Sequence, residues 1–117
     1  MFAHGRFALV GTGCILESVG DWSPVRYSDS AARGTIATIS NGDKSFEAHF
    51  VLSKLSEARF ALVDRPGLAG PLRVVRLVNK DGAVAMSIML HKPGDAQTAA
   101  WDALRQRYGD SVSLEAP

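Results

Sequence analysis

The sequence has very little cysteine and no long hydrophobic run. Its one cysteine, Cys14, has no partner for a disulfide within the chain, and no CxxC motif or Cys/His cluster offers the ligand spacing of a zinc site. No stretch approaches the roughly 18 consecutive apolar residues of a membrane span. Residues 7–16, interrupted by Gly11 and Gly13, make a poor signal peptide. We therefore expect a cytoplasmic protein without membrane insertion.

The sequence also lacks an excess of either charge. The 13 lysines and arginines stand against 12 aspartates and glutamates, and a formal net charge of +1 gives no support to a nucleic-acid partner. The nucleophile elbow, HExxH and P-loop motifs of common hydrolases and transferases are absent. Gly11-Thr12-Gly13 lacks the third glycine and the following helix of a dinucleotide-binding loop, so it predicts a tight turn. The sequence favours a protein that is not an enzyme.

Short apolar segments, several of which alternate with polar residues, dominate the chain. In the clearest one, residues 46–52, Phe46, Ala48 and Phe50 fall on one face and His49 on the other. Further segments that predict strands cover residues 5–10, 13–19, 25–27, 34–40, 58–63, 72–78 and 83–90. The pattern predicts an α+β fold with one large antiparallel β-sheet, a meander over residues 46–90, and a C-terminal helix packed against it.

Glycine-containing turns separate these segments. Asn41-Gly42 is the dipeptide typical of a two-residue type I′ hairpin turn. Asn79-Lys80-Asp81-Gly82 predicts a second hairpin, with glycine where φ becomes positive. Each turn reverses the chain, as a meander requires.

The last predicted element is a helix that begins near Asp95, the expected N-cap. Trp101, Leu104 and Tyr108 recur at spacings of three and four residues and form one apolar stripe, which ends at Gly109. We expect Trp101 to attach the helix to the sheet, and stacking on a ligand is the alternative.

The strand over residues 83–90 has large side chains on one face and small ones on the other. The large face is Val84, Met86, Ile88 and Leu90, and the opposite face is Ala83, Ala85, Ser87 and Met89. Small residues predict that something lies close over that face, either a helix or a ligand. We interpret residues 1–110 as a single domain and residues 111–117 as a frayed, flexible tail.

Histidines and arginines are the side chains most suited to hold a ligand. His49 could bind a metal or a cofactor iron, or it could be a structural hydrogen-bonding group on its strand. Four arginines on two segments that could pair would gather around one anionic ligand or form an ordinary solvated face; they are Arg59, Arg65, Arg73 and Arg76. His91 and Lys92, just before the helix, would extend such an anion site.

Five short motifs follow one another along the chain: Phe46-Glu47-Ala48-His49-Phe50, Val63-Asp64-Arg65-Pro66, Lys80-Asp81-Gly82, Lys92-Pro93-Gly94 and Trp101-Asp102-Ala103-Leu104. Their order and spacing resemble the repeat unit of the bacterial haem-utilisation and haem-degrading proteins of the HemS/ChuX type. The resemblance covers most of the chain. It implies a large antiparallel sheet with helices at one end, one repeat where other members have two, a homodimer, and an intracellular role in haem transfer or degradation.

The sequence departs from the family's pattern at the positions that the resemblance assigns to the ligand. The haem-ligating histidine falls on Ser18, and a serine cannot replace imidazole as an axial ligand. An arginine of the family becomes Asp64, whose charge repels a haem propionate. A small glycine becomes Met89, which fills space that a macrocycle needs, and the arginine before Lys92 becomes His91.

The leading hypothesis is a haem-binding or haem-trafficking protein of haem-iron utilisation. His49 or His91 is the candidate iron ligand, and Arg59, Arg65 and Lys92 are the candidate partners of the propionates or of a similar anionic planar ligand. The alternative is a non-catalytic interaction or scaffold domain that keeps the fold without the haem site. Haem degradation is a third possibility, for which the sequence shows no sufficient residue set.

Overall fold

A computed structural model describes residues 4–11, 13–21, 25–41, 43–67 and 69–115. Within these ranges the chain forms short β-strands, one α-helix near the C-terminus and a 3-10 turn at Leu52–Lys54. The elements are β1 (His4–Val10), β2 (Ile15–Asp21), β3 (Arg26–Ser30), β4 (Gly34–Ser40), β5 (Glu47–Val51), β6 (Leu55–Val63), β7 (Leu72–Asn79), β8 (Val84–Leu90), α1 (Asp95–Tyr108) and β9 (Ser111–Ser113). The predicted α+β class, antiparallel strands with a C-terminal helix, is confirmed.

The strands divide between two antiparallel sheets. A six-stranded main sheet has the order β2-β1-β8-β7-β6-β9, and a three-stranded small sheet has the order β3-β4-β5. The consecutive strands β6, β7 and β8 pair as a meander. The sequence predicted that β5 would join them in one sheet, whereas the 3-10 turn at Leu52–Lys54 separates β5 from β6 and the two strands enter different sheets.

One row of apolar side chains crosses the main sheet and contributes to two hydrophobic clusters, one under the helix and one under the small sheet. Phe60 pairs with Val75, Val75 with Ile88, and Ile88 with Phe7. Residues directly opposite in antiparallel strands project from the same face of a sheet, so these four share one face. At the Phe60 and Val75 end the face is covered by α1, and at the Phe7 and Ile88 end it is covered by the small sheet.

The small sheet contributes its apolar face to this core. Ile39 and Ala48 are buried against Phe7 and Ile88. The Phe46 and Phe7 rings lie 4.7 Å apart between centroids. The predicted orientation of β5, with its apolar face toward the core, is confirmed.

The helix is attached to the main sheet through Trp101, as predicted. This side chain is only 1% exposed and packs against Leu90. Its ring meets that of Phe60 edge-on at 5.7 Å between centroids. Among the residues described, no helix is long and apolar enough to cross a bilayer.

The C-terminal end of α1 lies where the sequence predicted it, and the N-cap lies one residue before the predicted position. Gly109 follows the helix with a φ of 82°, as the C-terminal signal predicted. The N-cap is Gly94 rather than Asp95, because the Gln97 side chain accepts a hydrogen bond of 2.9 Å from the Gly94 backbone N–H. Asp95 lies in the first turn, where its charge still complements the helix dipole.

The helix covers the large-residue face of β8, the face that carries Leu90. The sequence predicted a helix or a ligand over the opposite face, with Ala85, Ser87 and Met89. Of the large side chains, Ile88 and Leu90 are buried under the small sheet and α1, because burying them removes the most apolar surface from water, whereas Val84 at the start of the strand is 48% exposed.

The connection between β4 and β5 is longer than predicted. Ser40 pairs with Glu47, which leaves residues 41–46 in the loop. A two-residue type I′ turn is therefore wrong, and Gly42 itself lies outside the described residues. The loop closes through the Asn41 N–H, which donates to the Phe46 carbonyl at 3.0 Å. The predicted hairpin at Gly82 has the expected positive φ, 90°.

The segment after the helix is not a frayed tail over its first residues. Ser111–Ser113 forms β9, which pairs antiparallel with β6 and places Val112 opposite Ala58. The Leu114 N–H donates to the Ser56 carbonyl at 2.8 Å and continues this pairing. The edge of the main sheet offered unpaired backbone groups, which the returning chain satisfies.

Candidate functional site

His49 projects from β5 on the face turned away from the core. Its side chain is 55% exposed. Nδ1 is hydrogen-bonded at 2.8 Å to the hydroxyl of Thr38, its cross-strand partner on β4. Nε2 lies 3.5 Å from a carboxylate oxygen of Glu47. Because Thr38 holds Nδ1, the ring orientation is set, and Nε2 is the ring nitrogen that lies beside Glu47.

His49 lies in the wall of an apolar cleft of about 450 Å³ where the small sheet meets β1 and β2, which we name the His49 cleft. Its other walls are mainly hydrophobic: Phe7, Leu9, Leu16, Phe46, Ala48 and Met86. Ser18, the position that the family resemblance assigns to the iron ligand, lies in the same wall. An adjoining cleft of about 250 Å³ shares Leu9, His49 and Met86 and adds Lys54.

A second cleft gathers positive charge at the start of β7 and the end of β8. It has a volume of about 410 Å³, and we name it the cationic cleft. Five basic side chains line it together with apolar residues and no carboxylate: Arg6, Arg65, Arg73, His91 and Lys92. Arg65, His91 and Lys92, which the sequence assigned to ligand binding, are therefore brought together.

The cations of this cleft differ in how far they are already neutralised. Arg6 forms an ion pair with Glu17 at 3.1 Å and a hydrogen bond to Nδ1 of His91 at 3.2 Å. Arg73 binds both carboxylate oxygens of Asp102 on α1, at 2.8 and 3.0 Å. Within the described part of the chain, neither Arg65 nor Lys92 forms an ion pair. These two charges are the ones available to an anionic ligand.

The ion pair between Arg73 and Asp102 makes stability depend on acidity. The hydrogen bond from Arg73 is the main cause that lowers the pKa of Asp102 below its ordinary value of 3.8, with the charges of Arg73 and Arg105 adding to it. A carboxyl group whose pKa is lower in the folded than in the unfolded protein stabilises the fold at pH values above its pKa in the unfolded chain. That stabilisation is lost as the pH falls through its pKa in the folded protein. Both groups are near the solvent, so the contribution is small.

We therefore expect the wild-type protein to lose more stability than Asp102→Asn between pH 7 and about pH 2.5. Urea unfolding at the two pH values measures the difference. The control is Asp64→Asn, an exposed carboxylate with no ion pair to the residues described. It should behave as the wild type does; an equal loss in wild type and Asp102→Asn would contradict the prediction.

The remaining predicted residues lie elsewhere. Arg59 on β6 donates to Glu57 at 2.8 Å and lines neither cleft, so it is not close to Arg65 and Lys92 as the sequence suggested. Arg76 is the cross-strand partner of Arg59 and also lies outside both clefts. Asp64 is exposed after the end of β6.

Two cations were missed by sequence reasoning, Arg6 in the cationic cleft and Lys54 beside His49. Arg6 reaches its cleft because β1 pairs with β8 and places it opposite Met89. No local pattern signals a pairing between β1, near the start of the sequence, and β8, which is followed only by the last helix and strand described. Lys54 is the last residue of the 3-10 turn, and the sequence indicated no more than a short turn in this region.

Within the described residues, no three His, Cys, Asp or Glu side chains gather where they could hold a metal ion. A scan against models of protein families finds no match to this chain, and a search among curated proteins finds no match either. The resemblance to the haem-utilisation proteins therefore stays a prediction from the sequence motifs.

Proposed function

We propose that this protein binds haem, or a similar planar ligand with carboxylates, in the His49 cleft, with His49 as the iron ligand. The observation that carries the proposal is that Ser18 and His49 line the same cleft. Ser18 stands where the resemblance expects the ligating histidine. An imidazole from the facing strand β5 would replace the one lost from β2.

The walls of the cleft suit an apolar macrocycle. Leu9 and Leu16 belong to the large hydrophobic residues that remain exposed, and both line this cleft beside Phe46 and Met86. Covering exposed apolar surface is worth roughly 25 cal/mol per Å². A flat hydrophobic ligand would therefore gain most of its binding energy from these side chains.

The hydrogen bond between Nδ1 of His49 and the hydroxyl of Thr38 supports the role of His49. Histidines that ligate a metal usually hold their other ring nitrogen in a hydrogen bond, which sets the tautomer and the ring orientation. With Nδ1–H donating to the Thr38 hydroxyl at 2.8 Å, Nε2 would carry no proton and would bind the iron once the Glu47 carboxylate, 3.5 Å away, turns aside. Bound there, haem would supply an iron centre with one protein ligand, and Lys54 in the adjoining cleft would attract a propionate.

The cationic cleft is the rival location for the same ligand. His91, Arg65 and Lys92 lie together there, so the charge complement of two propionates is stronger than near His49. The walls offer less hydrophobic surface, because half of the residues that line this cleft are charged or titratable. The two histidines occupy separate clefts, so single substitutions distinguish the two locations.

Titration of the purified protein with haemin tests the proposal. We expect a shift of the Soret band at micromolar concentration. In His49→Ala we expect a loss of affinity greater than about 100-fold, because removing a residue that only supports a metal ligand typically costs about 10–100-fold. His91→Ala is the matched control and should leave the affinity unchanged. Ser18→His in the His49→Ala background should restore binding, because it returns an imidazole to the same cleft.

Three results would overturn the proposal. One is the absence of a Soret shift, and another is a shift that persists when His49 and His91 are both alanine. The third is loss of binding in His91→Ala alone, which would assign the ligand to the cationic cleft.

The second candidate function is a non-catalytic interaction domain that forms a homodimer. The observation in its favour is the hairpin of β1 and β2, where Val10, Ile15 and Leu16 are exposed and β2 is an edge strand of the main sheet. Exposed apolar residues beside unpaired backbone groups favour pairing with another chain. A colourless dimer after expression with excess haem would support this function and count against haem binding.

A further inference from the structure

The cationic cleft combines its five basic side chains with apolar walls, and no carboxylate among the described residues lines it. The apolar residues are Pro71, Leu72, Met89, Leu90 and Pro93. Its volume of about 410 Å³ is within the range of small-molecule sites. None of its residues lines the His49 cleft, so the two clefts can hold different ligands.

Two positive charges of the cationic cleft remain without a counter-ion. The carboxylates that pair with Arg6 and Arg73 offset the charges of these two arginines. His91 adds no charge, because the guanidinium of Arg6 is a donor only and Nδ1 of His91 therefore accepts its hydrogen bond. Arg65 and Lys92 are exposed and form no ion pair with the residues described. A dianion would balance these two charges, whereas a monoanion would balance only one.

The basic side chains of the cleft come from separate segments of the chain. Arg65 follows β6, Arg73 lies on β7 and Lys92 follows β8. Arg73 is held in place by both carboxylate oxygens of Asp102 and by the ring of Trp101. Cations that reach one cleft from three segments suit an anionic group that has several acceptor oxygens around one centre.

Lys92 has a backbone conformation that glycine adopts more easily. Its φ is 45°, in the left-handed region that is strained for residues with a Cβ. Burial does not explain the choice of lysine, because Lys92 is exposed. Residues kept in such conformations cluster at ligand sites. The strain at Lys92 therefore supports a role for its ammonium group in binding.

We propose that the cationic cleft binds a small organic phosphate monoester as a dianion, with Arg65 and Lys92 holding the phosphate and the apolar walls contacting the organic group. A phosphate monoester carries close to two negative charges at neutral pH and has three acceptor oxygens on one group. Guanidinium and ammonium groups both bind phosphate in proteins. Leu72 and Met89 offer apolar surface to the organic group.

Calorimetric titration with phenyl phosphate and phenyl sulfate tests the charge of the ligand. The two probes have the same shape, but at about pH 8 the phosphate carries two negative charges and the sulfate one. We expect phenyl phosphate to bind at least about tenfold more tightly, because it balances both free cations. Inorganic phosphate should bind more weakly than phenyl phosphate, because it has no apolar group for the walls. Phenylmalonate, a dicarboxylate dianion, should also bind more weakly, because its charges lie on two planar groups.

Two lysine variants separate binding from folding. Lys92→Gly relieves the backbone strain, so we expect the midpoint of urea unfolding to stay the same or rise while the affinity for phenyl phosphate falls at least about tenfold. Lys44→Gly is the matched control, because Lys44 is exposed and has a left-handed φ of 60° but does not line the cleft. It should leave the affinity unchanged. Arg65→Ala should weaken binding as Lys92→Gly does, and Arg33→Ala, an exposed arginine outside the cleft, should not.

Failure of phenyl phosphate to bind the wild type would overturn the proposal, and so would equal affinities for phenyl phosphate and phenyl sulfate. Wild-type affinity in both Lys92→Gly and Arg65→Ala would overturn it, because these side chains would then not hold the phosphate. Inorganic phosphate or phenylmalonate binding as tightly as phenyl phosphate would also contradict it. None of these results bears on haem, because the titration with haemin is measured by the Soret band and by His49→Ala.

Discussion

Trp101→Ala is expected to lower the free energy of unfolding by about 3–5 kcal/mol. Trp101 is the most deeply buried large side chain between α1 and the main sheet, and its removal would enlarge the cavity of about 220 Å³ that it lines together with Phe60 and Leu104. The contacts with Phe60 and Leu90 would be lost together, along with the guanidinium of Arg73, which lies 5.9 Å from the ring centroid. Urea unfolding followed by circular dichroism measures the change.

Leu62→Ala is the control for this substitution. Leu62 lies on the same face of β6 as Phe60 but is 44% exposed, so we expect its loss to cost less than about 1 kcal/mol. Trp101→Phe should fall between the two, because it keeps much of the apolar surface and removes the buried N–H without a partner. A cost for Trp101→Ala no larger than that for Leu62→Ala would show that the helix does not depend on this side chain.

Gly20→Ala is expected to destabilise the protein by about 1–3 kcal/mol. Gly20 is buried on β2, and a Cβ built at this position overlaps the ring of Phe46. Phe46 cannot withdraw freely, because its ring packs on Phe7 in the core between the sheets. A single methyl group therefore forces the small sheet away from β2, and thermal or urea unfolding would detect the loss.

Gly13→Ala provides the matched control. A Cβ at Gly13 meets no atom within 4 Å, and we expect a change within about 0.5 kcal/mol. Combining Gly20→Ala with Phe46→Leu should cost less than the sum of the single changes, because the smaller side chain makes room for the methyl group. Additive costs would mean that Gly20 and Phe46 do not contact each other in solution.

Local physical chemistry accounts for what could be predicted of the fold. The alternation around Ala48 predicted which side of β5 is buried, because each successive side chain of a strand points to the opposite face. The stripe of Trp101 and Leu104 predicted the buried side of α1, because residues spaced three or four apart lie on the same face of a helix. Glycine at positions 82 and 109 predicted a turn and a helix end, because both require positive φ.

The candidate sites were predicted less completely. Arg65, His91 and Lys92 were chosen by residue type and lie together in one cleft, but Arg59 was chosen on the same grounds and lies apart. The residue type alone determines the chemistry of a side chain. The neighbours of that side chain depend on strand pairing, and Arg6 reaches its cleft because β1, near the start of the sequence, pairs with β8.

Period and residue type therefore establish most of the strands, the helix, the buried faces of β5 and α1, and the kinds of ligand that these side chains can hold. They leave open the division into two sheets, the return of residues 111–113 to the edge of β6, and the meeting of Ser18 with His49. Strand patterns state which face is apolar but not which partner will cover it. Long-range packing selects that partner, and the His49 cleft and the cationic cleft both lie where segments distant in the sequence meet.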